Sequence, residues 1–260
     1  MLVDSHCHLD FPELAEDRAD IIARARAAGV STMVTISTRV ARFETYKAIA
    51  ESDPDIWFTI GTHPLGANEE PDIAASTLLE LAGHEKCIGI GEAGLDYFYD
   101  KVDRETAQNV FRTHIAASRI SGLPLVIHAR DADDDMIAIL KEESAIGAFP
   151  AILHCFSSTP ALAQVGVALG LHVSFSGIVT FKRSDELRAI AQHVPVERLL
   201  VETDAPFLAP QAYRGKRNEP SYVVEAAKAL ADVHGLSFEA MAEQTTHNFF
   251  SLFKKAKRPQ

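Results

Sequence analysis

The chain has 260 residues, 47% of them hydrophobic and 23% charged, with a formal net charge of −11. That length suits one α/β barrel of about 250 residues and excludes a small disulfide-stapled scaffold, and the composition is that of a globular protein able to bury a sizeable core. The acidic balance excludes a passive coat for nucleic acid, which rests on a basic surface, while a nuclease that uses cations and a few local arginines stays open.

In chain order, the opening MLVDSHCHLDF has no basic n-region and no long apolar run, so neither a signal peptide nor a membrane span is expected. Three cysteines offer no disulfide framework, which points to a reducing, cytoplasmic setting. Cys7 and Cys155 each adjoin a histidine, and strand alternation should turn their thiols to the opposite face, as small buried residues. Short β-rich runs at 2–8, 32–37, 56–61, 87–91, 125–128, 151–154, 172–176 and 199–202 predict buried parallel strands. Between them lie helical patterns. One spans 17–28, with Ile21, Ile22 and Ala25 on one side and Gly29 as its stop. A second runs from an Asp103 N-cap through Val110, Phe111, Ile115 and Ala117 to Gly122. A third starts at Pro220, carries Val223, Val224, Ala227 and Leu230, and closes at Gly235; a last helix, about 238–253, follows Ser237. Eight strands each followed by a helix predict a single (β/α)8 TIM barrel over residues 1–260, with an extra C-terminal helix; an open parallel sheet is the alternative. The closing KKAKRPQ reads as a solvated tail.

His6 and His8 stand two apart near the end of the first strand, so both imidazoles share a strand face, as two ligands of one metal require. Glu92 ends GIGE after the fourth strand, His128 ends LVIH, His154 ends AILH, and Asp204 follows LLVET after the eighth. Strand C-termini of a parallel barrel open on one face, so these six residues should converge. They exceed what one tetrahedral ion with an open position needs, and two divalent ions bridged by a carboxylate use them all. The candidates are Zn, Mn, Mg or similar, the mixed nitrogen and oxygen donors favouring first-row ions. Glu202 lies deeper on the strand face of Asp204, placed to orient a ligand. His63, after the third strand, and Arg130, Arg214 and Arg217 at the rim are expected to meet substrate phosphate. Tyr97 and Phe98 could stack a base or plug the rim.

The motifs DSHCHLD (4–10), GTHP (61–64), GEAGLDYFYD (91–100), HARDA (128–132), HCFS (154–157), SFSGIVTF (174–181), ETDAPFLAP (202–210) and RGKRNEP (214–220) resemble those of the TatD-type deoxyribonucleases, in the YcfH-like branch of the amidohydrolase superfamily. The resemblance spans nearly the whole chain in order. It implies one metal on His6, His8, Glu92 and Asp204, and a second on Glu92, His128 and His154, with Glu92 as the bridge. It also gives Asp204 a catalytic part as base or proton shuttle, alongside Glu92. Ser158 departs from the pattern, standing where many members have glycine. The expected function is a metal-dependent deoxyribonuclease that hydrolyses phosphodiester bonds of single-stranded DNA with a two-metal-activated water; trimming in the 3′-5′ direction rests on the resemblance. An esterase, deacylase or small phosphoester hydrolase at the same site is the second reading, and a non-catalytic metal-stabilised binding module the third. The protein is expected to be a monomer without a membrane partner.

Overall fold

The computed structural model describes residues 1–99 and 101–259, so Asp100, the last residue of GEAGLDYFYD, and Gln260, the last of the tail, lie outside the described residues. Eight strands pair in parallel in sequence order: β1 Leu2–Cys7, β2 Val30–Thr35, β3 Ile56–Ile60, β4 Cys87–Asp96, β5 Leu125–Arg130, β6 Ala151–Leu153, β7 His172–Phe175 and β8 Leu199–Val201. Helices follow in the order α1 Pro12–Ala15, α2 Arg18–Ala27, α3 Phe43–Glu51, α4 Ala75–Ala82, α5 Arg104–Ser121, α6 Asp133–Ile146, α7 Pro160–Ala168, α8 Asp185–His193, α9 Val223–His234 and α10 Phe238–Leu252. The architecture is the (β/α)8 barrel with an added C-terminal helix. Among the described residues no helix is long and apolar enough to cross a membrane.

Local chemistry sets the helix ends. The Asp103 carboxylate accepts from Thr106 N at 2.8 Å to start α5, and Gly122, in the left-handed region at φ 70°, ends it. Ser237 caps α10 by accepting from Ala240 N at 3.1 Å. Pro220 opens a short 3₁₀ turn ahead of α9 and not α9 itself.

The seam between β8 and β1 is closed differently from the other seams. Past the end of β8, Asp204 N donates to His6 O at 2.9 Å and Ala205 O accepts from His8 N at 2.8 Å. Deeper, the buried Asp4 carboxylate accepts from Thr203 N (2.9 Å) and Thr203 Oγ1 (2.6 Å), standing in for ladder bonds. Burial pushes the Asp4 carboxyl up to about 8.

One set of strand side chains, among them Leu2, Met33, Phe58 and Ile90, packs with the helices, while Val3, Trp57, Ile88, Val126, Ile152 and Leu200, each the second residue of its strand, belong to a separate interior layer. Phe249 and Phe253 pack on this layer, so α10 plugs the N-terminal mouth of the barrel. The tail is tied down too: Ala256 is buried and Lys255 Nζ donates to Ala82 O (2.9 Å) and His84 O (2.6 Å). The solvated-tail expectation is corrected at these two residues, because apolar burial holds Ala256 and two backbone carbonyls, the last of α4 and one in the turn after it, hold Lys255.

A candidate metal centre at the C-terminal mouth

Two one-residue slips in pairing aim the site. In β1, Asp4 faces Met33 and Cys7 faces Thr35, so three residues advance against two on β2. In β4, Ile90 faces Leu125 and Ala93 faces Ile127, again three against two. Each is a β-bulge, and it turns the residue beside it across the sheet. Ile90 belongs to the helix-facing core, so without the slip Glu92 would share that face. The slip also keeps β4 paired with β5 as far as Asp96, beyond the predicted end at 91. There Gly94 (φ +153°) is required: a Cβ on it would lie 1.9 Å from His128 O.

The result is a buried ring of imidazoles and carboxylates. Glu92 sits at its middle with its two oxygens divided. Oε2 lies 3.4 Å from His6 Nε2, while Oε1 lies 2.8 Å from both His128 Nδ1 and His154 Nε2. On the first side His6 Nε2 and His8 Nε2 are 3.4 Å apart, and Asp204 Oδ1 is 3.6 Å and 3.3 Å from them. Asp204 holds this place with φ at 58°, a left-handed conformation costly for a residue with a Cβ. On the second side the far nitrogens are fixed by further carboxylates: His128 Nε2 lies 3.2 Å from Asp96 Oδ2, and His154 Nδ1 lies 3.1 Å from Glu202 Oε1. Glu202 Oε1 also accepts from Cys155 N at 2.7 Å.

Burial alone would push the Glu92 carboxyl up, yet His154, His63 and His128 hold it well below the usual carboxylate range. Burial likewise works against the His154 imidazolium, and Glu92 and Glu202 overcome it, raising this group well above an ordinary imidazole. His6 is pushed down by burial and by His154. Against burial, Asp204 raises His8, and Asp96 and Glu92 raise His128. Among the described residues, Glu92, Asp96, Asp204 and Glu202 have only imidazoles as ion-pair partners. Buried carboxylates without lysine or arginine call for another source of positive charge. Three sets of donor atoms lie within 4.8 Å of one another: His6, His8 and Glu92; His63, Glu92 and His128; and His6, His154 and Glu202. This donor set fits divalent cations, which would replace the protons the imidazoles otherwise carry.

His63 is drawn into the ring, its Nε2 3.5 Å from Glu92 Oε1. Its Nδ1 accepts from Leu65 N at 3.1 Å, and burial pushes its pKa down to about 3. The neutral ring therefore carries its proton on Nε2 and presents an N–H to the site.

The sequence-derived ligands His6, His8, Glu92, His128, His154 and Asp204 thus meet in one place, with Glu202 behind His154. The arginines divide. Arg130 lies over the Phe98 ring at 3.8 Å and Arg214 over the Phe181 ring at 4.2 Å. Arg217 is not free at the rim: it donates to Asp17 (2.9 and 2.8 Å) and Glu13 O (2.6 Å), pinning the loop after β8 onto the start of α2. Its expected phosphate contact is corrected on that ground. Tyr97 is likewise engaged, its hydroxyl donating to Asp135 Oδ2 at 2.7 Å. Cys155 lies past the end of β6 in a turn with φ 41°, so strand alternation does not apply to it; its Sγ is 3.2 Å from Ser176 Oγ. Asp96 was missed, because a strand read as ending at Gly91 leaves it in a loop. A cavity of about 1630 Å³ opens beside the ring between Tyr97, Phe98, Arg130 and helices α7 and α8, and none of the ring residues lines it.

A family model described as TatD related DNase matches residues 3–254. The chain is 39% identical over 255 residues to an uncharacterized metal-dependent hydrolase, YcfH, of Escherichia coli K12, covering 97% of this chain and 95% of that one. It is 34% identical to the 3′-5′ ssDNA/RNA exonuclease TatD of Erwinia tasmaniensis, over 97% and 99% of the two chains. Among solved structures, the TatD homolog YjjV from Escherichia coli K12 superposes with a TM-score of 0.90 at 26% identity, over 97% of this chain and 98% of that one.

Proposed function

From the premise that this chain belongs to the TatD-related DNase family of metal-dependent hydrolases, we propose that it hydrolyses phosphodiester bonds of single-stranded DNA, removing nucleotides from the 3′ end. The observation that carries the reading is the division of Glu92: one oxygen faces His6 and the other faces His128 and His154, which suits a carboxylate shared by two cations. His6, His8, Glu92 and Asp204 would hold one ion; Glu92, His128 and His154 the other. When bound, such a pair supplies positive charge against the phosphoryl oxygens and makes water a better nucleophile at neutral pH.

The chain's own groups do the rest. The Asp204 carboxylate, 16% exposed where Glu92 is 2%, takes the proton of the attacking water, and its neighbours His8 and His6, working against burial, keep it ionised for that role. His63 Nε2–H donates to a phosphoryl oxygen. Asp96 and Glu202 fix the rings of His128 and His154, so the coordinating nitrogens point at Glu92. Arg130 and Arg214 have no carboxylate partner among the described residues and can meet phosphates of the strand.

The test supplies the metal-loaded protein with end-labelled single-stranded DNA beside Glu92→Ala and Asp204→Ala. Stepwise shortening from the 3′ end that both substitutions abolish is the expected result. Turnover of a model carboxylic ester with no cleavage of DNA would shift the assignment to an esterase at the same ring.

A further inference from the structure

Seven large hydrophobic side chains are exposed among the described residues, and they fall into two kinds by position. Met1 begins the chain, and Ile120, Ile146 and Leu236 sit at or just after the ends of α5, α6 and α9, at the far end of the barrel from the ring. The three exposed aromatics, Phe98 (53%), Tyr99 (45%) and Phe207 (47%), all stand on the loops after β4 and β8, at the mouth that holds the ring. An aromatic left in water at a site mouth is a surface prepared for a flat partner.

They adjoin two sides of the ring, Phe207 one and Phe98 with Tyr99 the other. Phe207 meets Phe11 edge-on, with ring centres 5.7 Å apart, and Phe11 in turn stacks on His8 at 4.6 Å. The Phe207 backbone is rigidly held, since the buried Asn218 side chain donates to Phe207 O (2.6 Å) and Thr203 O (2.9 Å) and Phe207 N donates to Asp204 O (3.0 Å). On the other side Phe98 N donates to Asp96 Oδ1 at 3.0 Å, and the second oxygen of Asp96 is the partner of His128. Arg130 backs Phe98, its guanidinium 3.8 Å from the ring centre, and Tyr99 meets Phe98 edge-on at 4.9 Å. Arg130 Nη1 also donates to the Tyr99 hydroxyl at 3.5 Å, and a guanidinium stacked this way keeps its remaining N–H groups in the plane for a phosphate.

We propose that Phe207, backed by Phe11, and Phe98, backed by Arg130, are two nucleobase platforms that stack the unpaired bases on either side of the phosphodiester held at the ring. This rests on the nuclease reading and adds to it the residues that would recognise a strand without reading its sequence. Every base has a π-face, so stacking tolerates any base, whereas a base inside a duplex has both faces covered by its neighbours. Two rigid platforms would also require at least two nucleotides with bases, one on each side of the bond.

The test uses a short 5′-labelled thymidylate strand and versions of it lacking the base at the last, second-last or third-last nucleotide, with the metal-loaded protein. Removing the base at either of two adjacent positions should raise KM about ten-fold, in line with what a stacked base contributes. Phe207→Ala should raise KM on the intact strand by a similar factor, leave kcat within about two-fold, and add nothing further when the base it stacks is already missing. Phe98→Ala should do the same for the other position, and Phe207→Trp should restore tight use of the intact strand. Both rings are exposed, so their removal leaves the core packing untouched. A KM rise of equal size on intact and abasic strands would overturn the platforms, as would indifference of the wild type to base removal. No turnover of any strand would remove the nuclease reading and the platforms together, which distinguishes that failure from the others.

Discussion

The two mouths of the barrel are made by the same eight strands and obey different rules. At the N-terminal mouth, Val3, Trp57, Ile88, Val126, Ile152 and Leu200 form an apolar layer sealed by Phe249 of α10 and Phe253 just after it. At the C-terminal mouth the strands bulge, and carboxylates are buried with imidazoles as their ion-pair partners. The four non-glycine residues at positive φ among the described residues, Asp131, Cys155, Asp204 and Leu208, all follow β5, β6 or β8 on this side. One end satisfies the hydrophobic effect with ordinary geometry; the other spends that stability on desolvated charge and strained backbone. The difference teaches that stability and chemistry are separable here along a single strand.

If that is right, the largest effect on chemistry should come from the rim with the fold intact. Glu92→Ala is expected to lower hydrolysis of end-labelled DNA by at least about a thousand-fold, the scale on which losing an electrostatic or metal-holding group acts. Far-UV circular dichroism of the variant should match the parent; loss of secondary structure would mean the two mouths are not separable. The opposite experiment is Phe253→Ala. Its ring is 1% exposed, so truncation should cost about 3–5 kcal/mol in denaturant unfolding, while kcat of the remaining folded protein stays within about two-fold. A large fall in kcat per folded molecule would show that the plug shapes the site.

How much of this contrast was legible in the sequence depends on the physics of each part. Strand order, the Asp103 and Ser237 caps and the Gly122 stop were readable because they follow local rules of periodicity and capping. The six ring residues were readable because a parallel barrel brings strand ends together wherever they lie in the chain. The bulges were not, since a one-residue slip depends on the partner strand; it is what aims Glu92 and carries β4 on to Asp96. Arg217 was misread because its use is decided by Asp17, two hundred residues earlier and close only once the barrel closes.

A smaller, pH-dependent effect probes the wall supporting the rim. His114 on α5 is buried, with Nε2 accepting from Thr62 N at 3.0 Å and Nδ1–H donating to Val110 O at 2.8 Å, and burial pushes its pKa down to about 4. Its folded value lies below the unfolded 6.5, so the unfolded chain takes up a proton first as pH falls. Stability should therefore be fully present above pH 6.5 and decline towards about 4, by on the order of 3 kcal/mol from this group. His114→Gln, which keeps an acceptor for Thr62, should flatten that part of the stability profile; an unchanged slope would place the acid sensitivity elsewhere.

The smallest effect asks whether the N-terminal mouth ends at Phe253 or includes the basic tail. By composition KKAKRPQ belongs in water, but the structure treats neighbouring lysines differently: Lys254 is exposed, while Lys255 is half-buried with its ammonium on Ala82 O and His84 O at the end of α4. A cation there satisfies the last carbonyl of α4, Ala82 O, and the negative end of the helix dipole. Lys255→Met keeps the stem and removes the charge, so it should cost about 1 kcal/mol, a low value for a charge-assisted bond because water still reaches the group. Lys254→Met should change stability by no more than about 0.3 kcal/mol, and the difference between the two should shrink in high salt. Equal midpoints for both variants in urea would make the tail the solvated appendage its composition suggests. A difference confined to Lys255 would extend the seal of the barrel past α10, to the residue that ties it to α4.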